Sequence, residues 1–149
     1  MTKSKTVAAW LAFLGGPFGL HRFYLHGAGD WLGWLLPVPT LVGAYGVLRM
    51  WSLGQNDPLS WVLTPVLGFT FAGCCLTAIV YGLKKPEDWN GRFNPGQSPD
   101  AKPGRTNWGT VWAIVLALMI GAGVLMASIA ISFQGYFNQQ VEEGRRISQ

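Results

Sequence analysis

Half of the 149 residues are hydrophobic and only 12% are charged, against about 25% in soluble domains. The net charge of +4 is small and the basic residues lie at the ends of apolar runs. That arrangement excludes the clustered Lys/Arg face of a nucleic-acid binder and leaves anionic lipid headgroups as partners of these cations. Leu59–Leu83 and Trp108–Phe133 contain no Asp, Glu, Lys or Arg, and about 20 apolar residues cross a hydrocarbon core of roughly 30 Å. An all-α integral membrane protein is predicted.

Lys3 and Lys5 precede the first apolar segment, Val7 to Leu20, whose 14 uncharged residues reach only about 21 Å as a helix. No Ala-x-Ala type cleavage site follows it, so the start is read as retained rather than as a signal peptide. The run Phe13 to Gly27 then packs four glycines, a proline, two histidines and an arginine into one turn. Gly15 and Gly19 form a small-xxx-small face for close helix approach. Arg22 between apolar stretches, with Phe23 and Tyr24 beside it, suits the headgroup level, where the charge stays wet and the rings anchor. Arg22 and Asp30 are expected to pair across the bend.

The second segment, Trp31 to Leu48, has 18 uncharged residues with Pro37 and Pro39 near its middle. Two prolines remove two backbone donors, predicting a kinked span or two half-helices. A packing kink is the plainer reading, and a substrate-lining break the other. Arg49, near the end of this segment, is expected to snorkel, with Asp57 as its neighbour. A third helix is predicted within residues 54–83 and a fourth over 108–133. Each carries a small-residue stripe: Gly68, Ala72, Cys74, Ala78 and Gly82, then Ala113, Ala117 and Gly121. Such stripes associate helices in membranes, inside a chain or between chains. Cys74 and Cys75 are adjacent and read as small apolar side chains. Residues 84–107, with four prolines and three glycines, read as a mobile polar loop without a core. Residues 134–149 read as a polar tail.

Lys3, Lys5, Leu14, Gly15, Gly16, Gly19, His21, Arg22, Phe23, Tyr24, Leu25 and Gly27 follow a Leu-Gly-Gly-x-x-Gly-x-His-Arg-Phe-Tyr-Leu pattern. On these residues the segment from about 3 to 53 resembles the TM-two (two-transmembrane) domain family. The resemblance implies a short helix, a glycine bend, a His-Arg-Phe-Tyr turn and a second helix. Where that second helix usually carries a Trp and, four residues on, an Asp, this chain has Tyr45 and Arg49.

Four helical segments are therefore expected, the first two a short TM-two-type hairpin with a proline-broken second helix. Four crossings with the N-terminus inside leave five cations in and six out, which is no bias. If the second segment does not cross, seven lie in and four out. His21, His26 and Asp30 lack metal-ligand spacing, and no Ser-His-Asp set, paired carboxylates or phosphate-cradling loop is recognisable. No catalytic, cofactor-binding or metal residues are expected. Gly15, Gly16, Gly19, His21, Arg22, Phe23, Tyr24 and Asp30 are the candidate motif and interface anchors; Ala113, Ala117 and Gly121 are the candidate packing residues. The function expected is a non-catalytic accessory or scaffold subunit acting through helix packing. Its partners are the lipid bilayer and either another membrane protein or further copies of itself. The alternative is a small oligomeric transporter or channel using the Pro37/Pro39 break and Arg49, with a membrane-bound enzyme third. The absence of Asn-x-Ser/Thr acceptors and of a cleavage site points to a bacterial inner membrane.

Overall fold

In a computed structural model that describes residues 2–54 and 57–148, the described chain is helical without strands. Gln55 and Asn56, at the start of the expected third segment, and Gln149, the end of the expected tail, lie outside the described residues. The elements are α1 (Lys5–Gly15), a 3₁₀ turn (Gly16–Phe18), α2 (Leu20–His26), α3 (Trp31–Leu35), α4 (Pro37–Leu53), α5 (Pro58–Leu83), α6 (Pro86–Phe93) and α7 (Trp108–Ile147). A second 3₁₀ turn spans Lys102–Gly104.

Among the described residues, three helices are long and apolar enough to cross a membrane: Trp31–Leu53, Pro58–Leu83 and the helix containing α7. The protein is an integral membrane protein on these grounds. Pro37 and Pro39 do not divide the first of them. The one residue between α3 and α4, Leu36, keeps helical angles (φ −60°, ψ −38°), and the prolines sit in the first turn of α4, where missing donors cost least. Asp57 caps α5 by accepting from Ser60 N at 3.1 Å. Asn107 and Thr110 form a reciprocal capping box at the start of α7, which satisfies donors that otherwise stay orphaned.

α5 is the central helix, packing against α4 on one side and α7 on the other. Its seam with α7 repeats every seven residues. Trp61 meets Gly135, Gly68 meets Ser128, Cys75 meets Gly121, and Gly82 meets Ile114. Each layer contains one glycine, and a Cβ added there would lie within 3 Å of the facing side chain. A seven-residue repeat is 3.5 residues per turn, the period of a left-handed antiparallel supercoil. The α4–α5 contact uses the same device, with Gly43 against the backbone of Leu67 and Gly46 against Leu63.

α1 has only 11 residues, about 16 Å of helix, and does not traverse the bundle. It starts beside the end of α5, where Lys5 Nζ donates to the Lys84 carbonyl at 2.8 Å. Ala12 and Phe13 join Cys75, Ala78 and Ala117 in the core. Gly16 lies against Cys74, halfway along α5. The chain then turns, and α2 climbs back to where α1 began. The His21 ring sits 5.9 Å from that of Tyr81, and Tyr24 Oη accepts from Ser4 N at 2.8 Å. The first of the four expected segments is thus a helical half-hairpin rather than a full-length helix.

Residues 84–107, read from sequence as a loop without a core, fold over the start of the chain. Trp89 is fully buried with Ala8 and Leu25, and its Nε1 donates to the Lys3 carbonyl at 2.8 Å. Asn94 Oδ1 accepts from Lys3 N at 2.7 Å while its Nδ2 donates to Lys3 O at 3.1 Å. Asn90 Nδ2 donates to the carbonyls of Pro99 and Ala101. Asn90 thus meets two carbonyls of the loop itself, while Asn94 and the Trp89 indole meet the backbone N–H and C=O of Lys3. This unit is a polar cap on one end of the bundle.

Candidate functional site

The glycine bend sets the geometry of the region the sequence singled out. Gly19 has φ +74°, the left-handed region that side chains with a Cβ avoid. Its Cα also lies so close to α3 that an added Cβ would be 2.2 Å from the Gly33 carbonyl oxygen. Gly15 is packed under Leu20, and Gly16 under Cys74. Thr40 Oγ1 donates to the Pro17 carbonyl at 2.9 Å, fixing the bend to α4.

Past the bend, Arg22 and Asp30 pair. Nε donates to Oδ2 at 2.6 Å and Nη2 to Oδ1 at 3.3 Å. The guanidinium beside it holds the Asp30 carboxyl below the usual range. His26 Nδ1 is 3.8 Å from the same carboxylate. Phe23 stacks edge-on to Trp34 with centroids 5.2 Å apart, above Gly33. Tyr24 points the other way, into the polar cap. His21 faces Tyr81 whereas His26 faces Phe93, so the two imidazoles do not converge. Among the described residues no group of three or more His, Cys, Asp or Glu is placed to hold a metal.

His21 is the unusual member. It is 4% exposed, and its Nδ1 makes no hydrogen bond. Burial, with Arg22 nearby, pushes its pKa down to about 4, so the ring is neutral near pH 7. An unmet buried polar atom costs on the order of 1–3 kcal/mol. His21 and Arg22 line a groove of about 410 Å³ between α2, α3–α4 and α5, which continues past Thr77 and Gly73 to Leu36 and Phe69. The sequence marked His21 and Arg22 but not this groove, because its other wall comes from helix faces about 50 residues away.

The motif residues are therefore a connected unit in space, and they coincide with a family match. Residues 1–53 match the TM2 domain family model. The matched part takes in α1, the bend, α2, and α3–α4 down to Leu53. No curated protein and no solved structure matches the chain. In this TM2 segment Tyr45 and Arg49 form one site with a residue beyond it. Arg49 Nε donates to Asp57 Oδ2 at 2.5 Å and Nη2 to Oδ1 at 3.1 Å, with Tyr45 Oη 3.4 Å from Nη1. These bonds hold the Asp57 carboxyl at about 2. Arg49 thus closes the α4–α5 connection, three turns away from Pro37 and Pro39.

Ala113, Ala117 and Gly121 lie on the inner face of α7. Ala113 and Ala117 have no exposure, and Gly121 faces Cys75. Within the chain, Ala117 packs with Ala12 and Phe13 of α1 and Cys75 and Ala78 of α5, and Gly121 packs against α5. Four hydroxyls inside the spans are engaged locally, whereas Thr64 Oγ1 in α5 is buried without a hydrogen bond. Thr70, Thr77, Ser128 and Ser132 each donate to the carbonyl four residues earlier in their own helix.

Proposed function

We propose that this small membrane protein is a non-catalytic accessory or scaffold subunit, holding another membrane protein or a second copy of itself against the outer face and free end of α7. The observation that carries this is the excess length of α7. It runs for 40 residues, about 60 Å, against a core of roughly 30 Å. In the heptad register α5 begins, at Pro58, opposite Asn138, so the last turns of α7 have no partner helix. Phe133, Tyr136, Phe137, Val141 and Ile147 are all more than half exposed and share one face at helical spacing, interrupted by Gln140 and Gly144 and edged by Glu143, with Glu142, Arg145 and Arg146 on the other. An apolar stripe that nothing among the described residues covers fits a helix-in-groove or helix-pair contact.

Membrane placement belongs to the same reading. We place three crossings (α3–α4, α5 and α7), with α1 and α2 re-entering from the capped side. Lys3, Lys5, Arg22, Lys84, Lys85, Arg92, Lys102 and Arg105 then share that side, and Arg49, Arg145 and Arg146 the other. Eight of the 11 cations on one face is the bias that four crossings lack, and it favours a cytoplasmic cap in a bacterial inner membrane.

The transporter alternative draws less support. Its two residue sets lie about three turns apart, Arg49 is paired with Asp57, and Thr70, Thr77, Ser128 and Ser132 bond within their own helices, leaving Thr64 as the unmet hydroxyl among the described residues. The test is copurification in mild detergent from native membranes. Phe137→Glu with Val141→Glu is expected to release a copurifying protein, or convert an oligomer to monomer, with the thermal midpoint unchanged. Retention of the same complex by the double variant defeats the reading. So does a wild-type monomer without companions that moves solute into liposomes.

A further inference from the structure

The groove between α2, α3–α4 and α5 is walled by helices that cross the membrane, and its wall residues Leu32, Leu35 and Phe69 are exposed on the outer surface. What faces its opening is therefore lipid rather than water. Along its length the chemistry changes. At the capped end stand His21, Arg22 and the Tyr81 ring; toward the bundle centre stand Leu36, Phe69 and Cys74. Tyr81 and Phe69 are 12 residues apart on α5, about 18 Å. Polar at headgroup depth and apolar below is the profile of an amphiphile, and the volume of about 410 Å³ falls within the range of small-molecule sites.

Two nitrogens at the polar end make no hydrogen bond. The Asp30 pair uses Nε and Nη2 of Arg22, leaving Nη1 without a hydrogen bond among the described residues. His21, 96% buried by its 4% exposure, has an unpartnered Nδ1. Both residues line the groove. A fork-shaped cation with a free edge, beside a neutral imidazole ring, matches the oxygens of a phosphodiester.

We infer that this groove is a binding site for a single membrane phospholipid, its phosphodiester held by Arg22 Nη1 beside the His21 ring and an acyl chain laid along Leu36 and Phe69. The surplus of cations on the same side of the bundle raises the local concentration of anionic lipid. Asp30 keeps Arg22 aimed by occupying its other edge.

Gly73 supplies a clean probe. It lines the groove, and a Cβ added there meets nothing within 4 Å. Gly73→Leu fills the groove while replacing a glycine by a better helix former. The full-length protein, reconstituted with phosphatidylglycerol and then washed in detergent, is examined by native mass spectrometry. The wild type is expected to retain one phosphatidylglycerol, and Gly73→Leu to retain at least tenfold less at an equal thermal midpoint. Arg22→Gln is expected to lose it to a similar degree. Free glycerol 3-phosphate at equal concentration is expected to displace none. No retained lipid on the wild type, or equal retention by Gly73→Leu, overturns the proposal. Displacement by glycerol 3-phosphate also overturns it, by making the site one for a soluble phosphate.

Discussion

Lys5 Nζ donates to the Lys84 carbonyl oxygen at 2.8 Å across 79 residues of sequence, and to Thr106 Oγ1 at the same distance. The side chain is fully buried, and burial holds its ammonium below the ordinary lysine range. Among the described residues no carboxylate pairs with it. Its charge lies instead against the C-terminal end of α5, where carbonyl dipoles point outward and a cation is favoured.

That arrangement makes Lys5 a clasp between the TM2 segment and the cap. Lys5→Met removes two hydrogen bonds from a charged donor and leaves the Lys84 carbonyl half-buried. Relief of the desolvated charge offsets part of this. The net expectation is a loss of about 1.5–3 kcal/mol, the usual worth of a charge-assisted hydrogen bond. Differential scanning fluorimetry in detergent reads it as a lower midpoint. A midpoint at or above wild type would show the ammonium to be a burden instead.

The cap yields a second prediction, and it reverses what the composition of residues 84–107 implies. Trp89 is fully buried and bonded to Lys3 O. Limited proteolysis of right-side-up and inverted vesicles should therefore leave the α6 stretch uncut where exposed loop tips are nicked. Trp89→Ala should cost about 3–5 kcal/mol, as large aromatic truncations do, and open the segment to cleavage. Rapid wild-type cleavage between Lys84 and Phe93 would mean that the cap does not hold in the membrane.

What the sequence made legible follows from range. Apolar runs report helices because the period lies within one element. The partners of Arg22 and Arg49 are each eight residues on, across a single bend. The depth of the first hairpin is different. Fourteen uncharged residues fit a thinned crossing as well as a return to the same side; contacts of Gly16 with Cys74 and of Tyr24 with Ser4 separate the two. The cap was illegible for the same reason. Asn90, Asn94 and Trp89 look like loop residues until the N-terminal segment arrives to take their bonds.

The heptad seam makes a third prediction. Gly121 faces Cys75, where an added Cβ would lie 2.6 Å from the Cys75 Cβ. Gly121→Leu must push α5 and α7 apart, and overpacking of this kind costs typically 1–3 kcal/mol or more. Folding yield and thermal midpoint should both fall. Gly123 offers the control, since nothing lies within 4 Å of a Cβ there; Gly123→Leu should leave both unchanged. Equal behaviour of the two variants would show that the seam does not govern assembly.

The last prediction concerns pH. His21 has its pKa pushed down to about 4, chiefly by burial and then by Arg22, with Asp30 opposing and His26 adding. An imidazole in the unfolded chain takes its proton near 6.5. Between those values the unfolded state binds more protons than the native one, so stability falls as pH drops from 6.5 to 4. The slope approaches a factor of ten in the folding constant per pH unit. Asp30 and Asp57 are lowered from 3.8, Asp57 to about 2; their contributions are intact above 3.8 and are lost only below it. The 6.5 to 4 window therefore belongs to His21. The wild-type thermal midpoint in detergent should decline across it, and His21→Leu, which keeps the apolar contact with Tyr81 and cannot be charged, should remain flat there. A wild-type midpoint constant from pH 6.5 to 4 would mean that His21 is hydrated in the membrane and not buried against Tyr81.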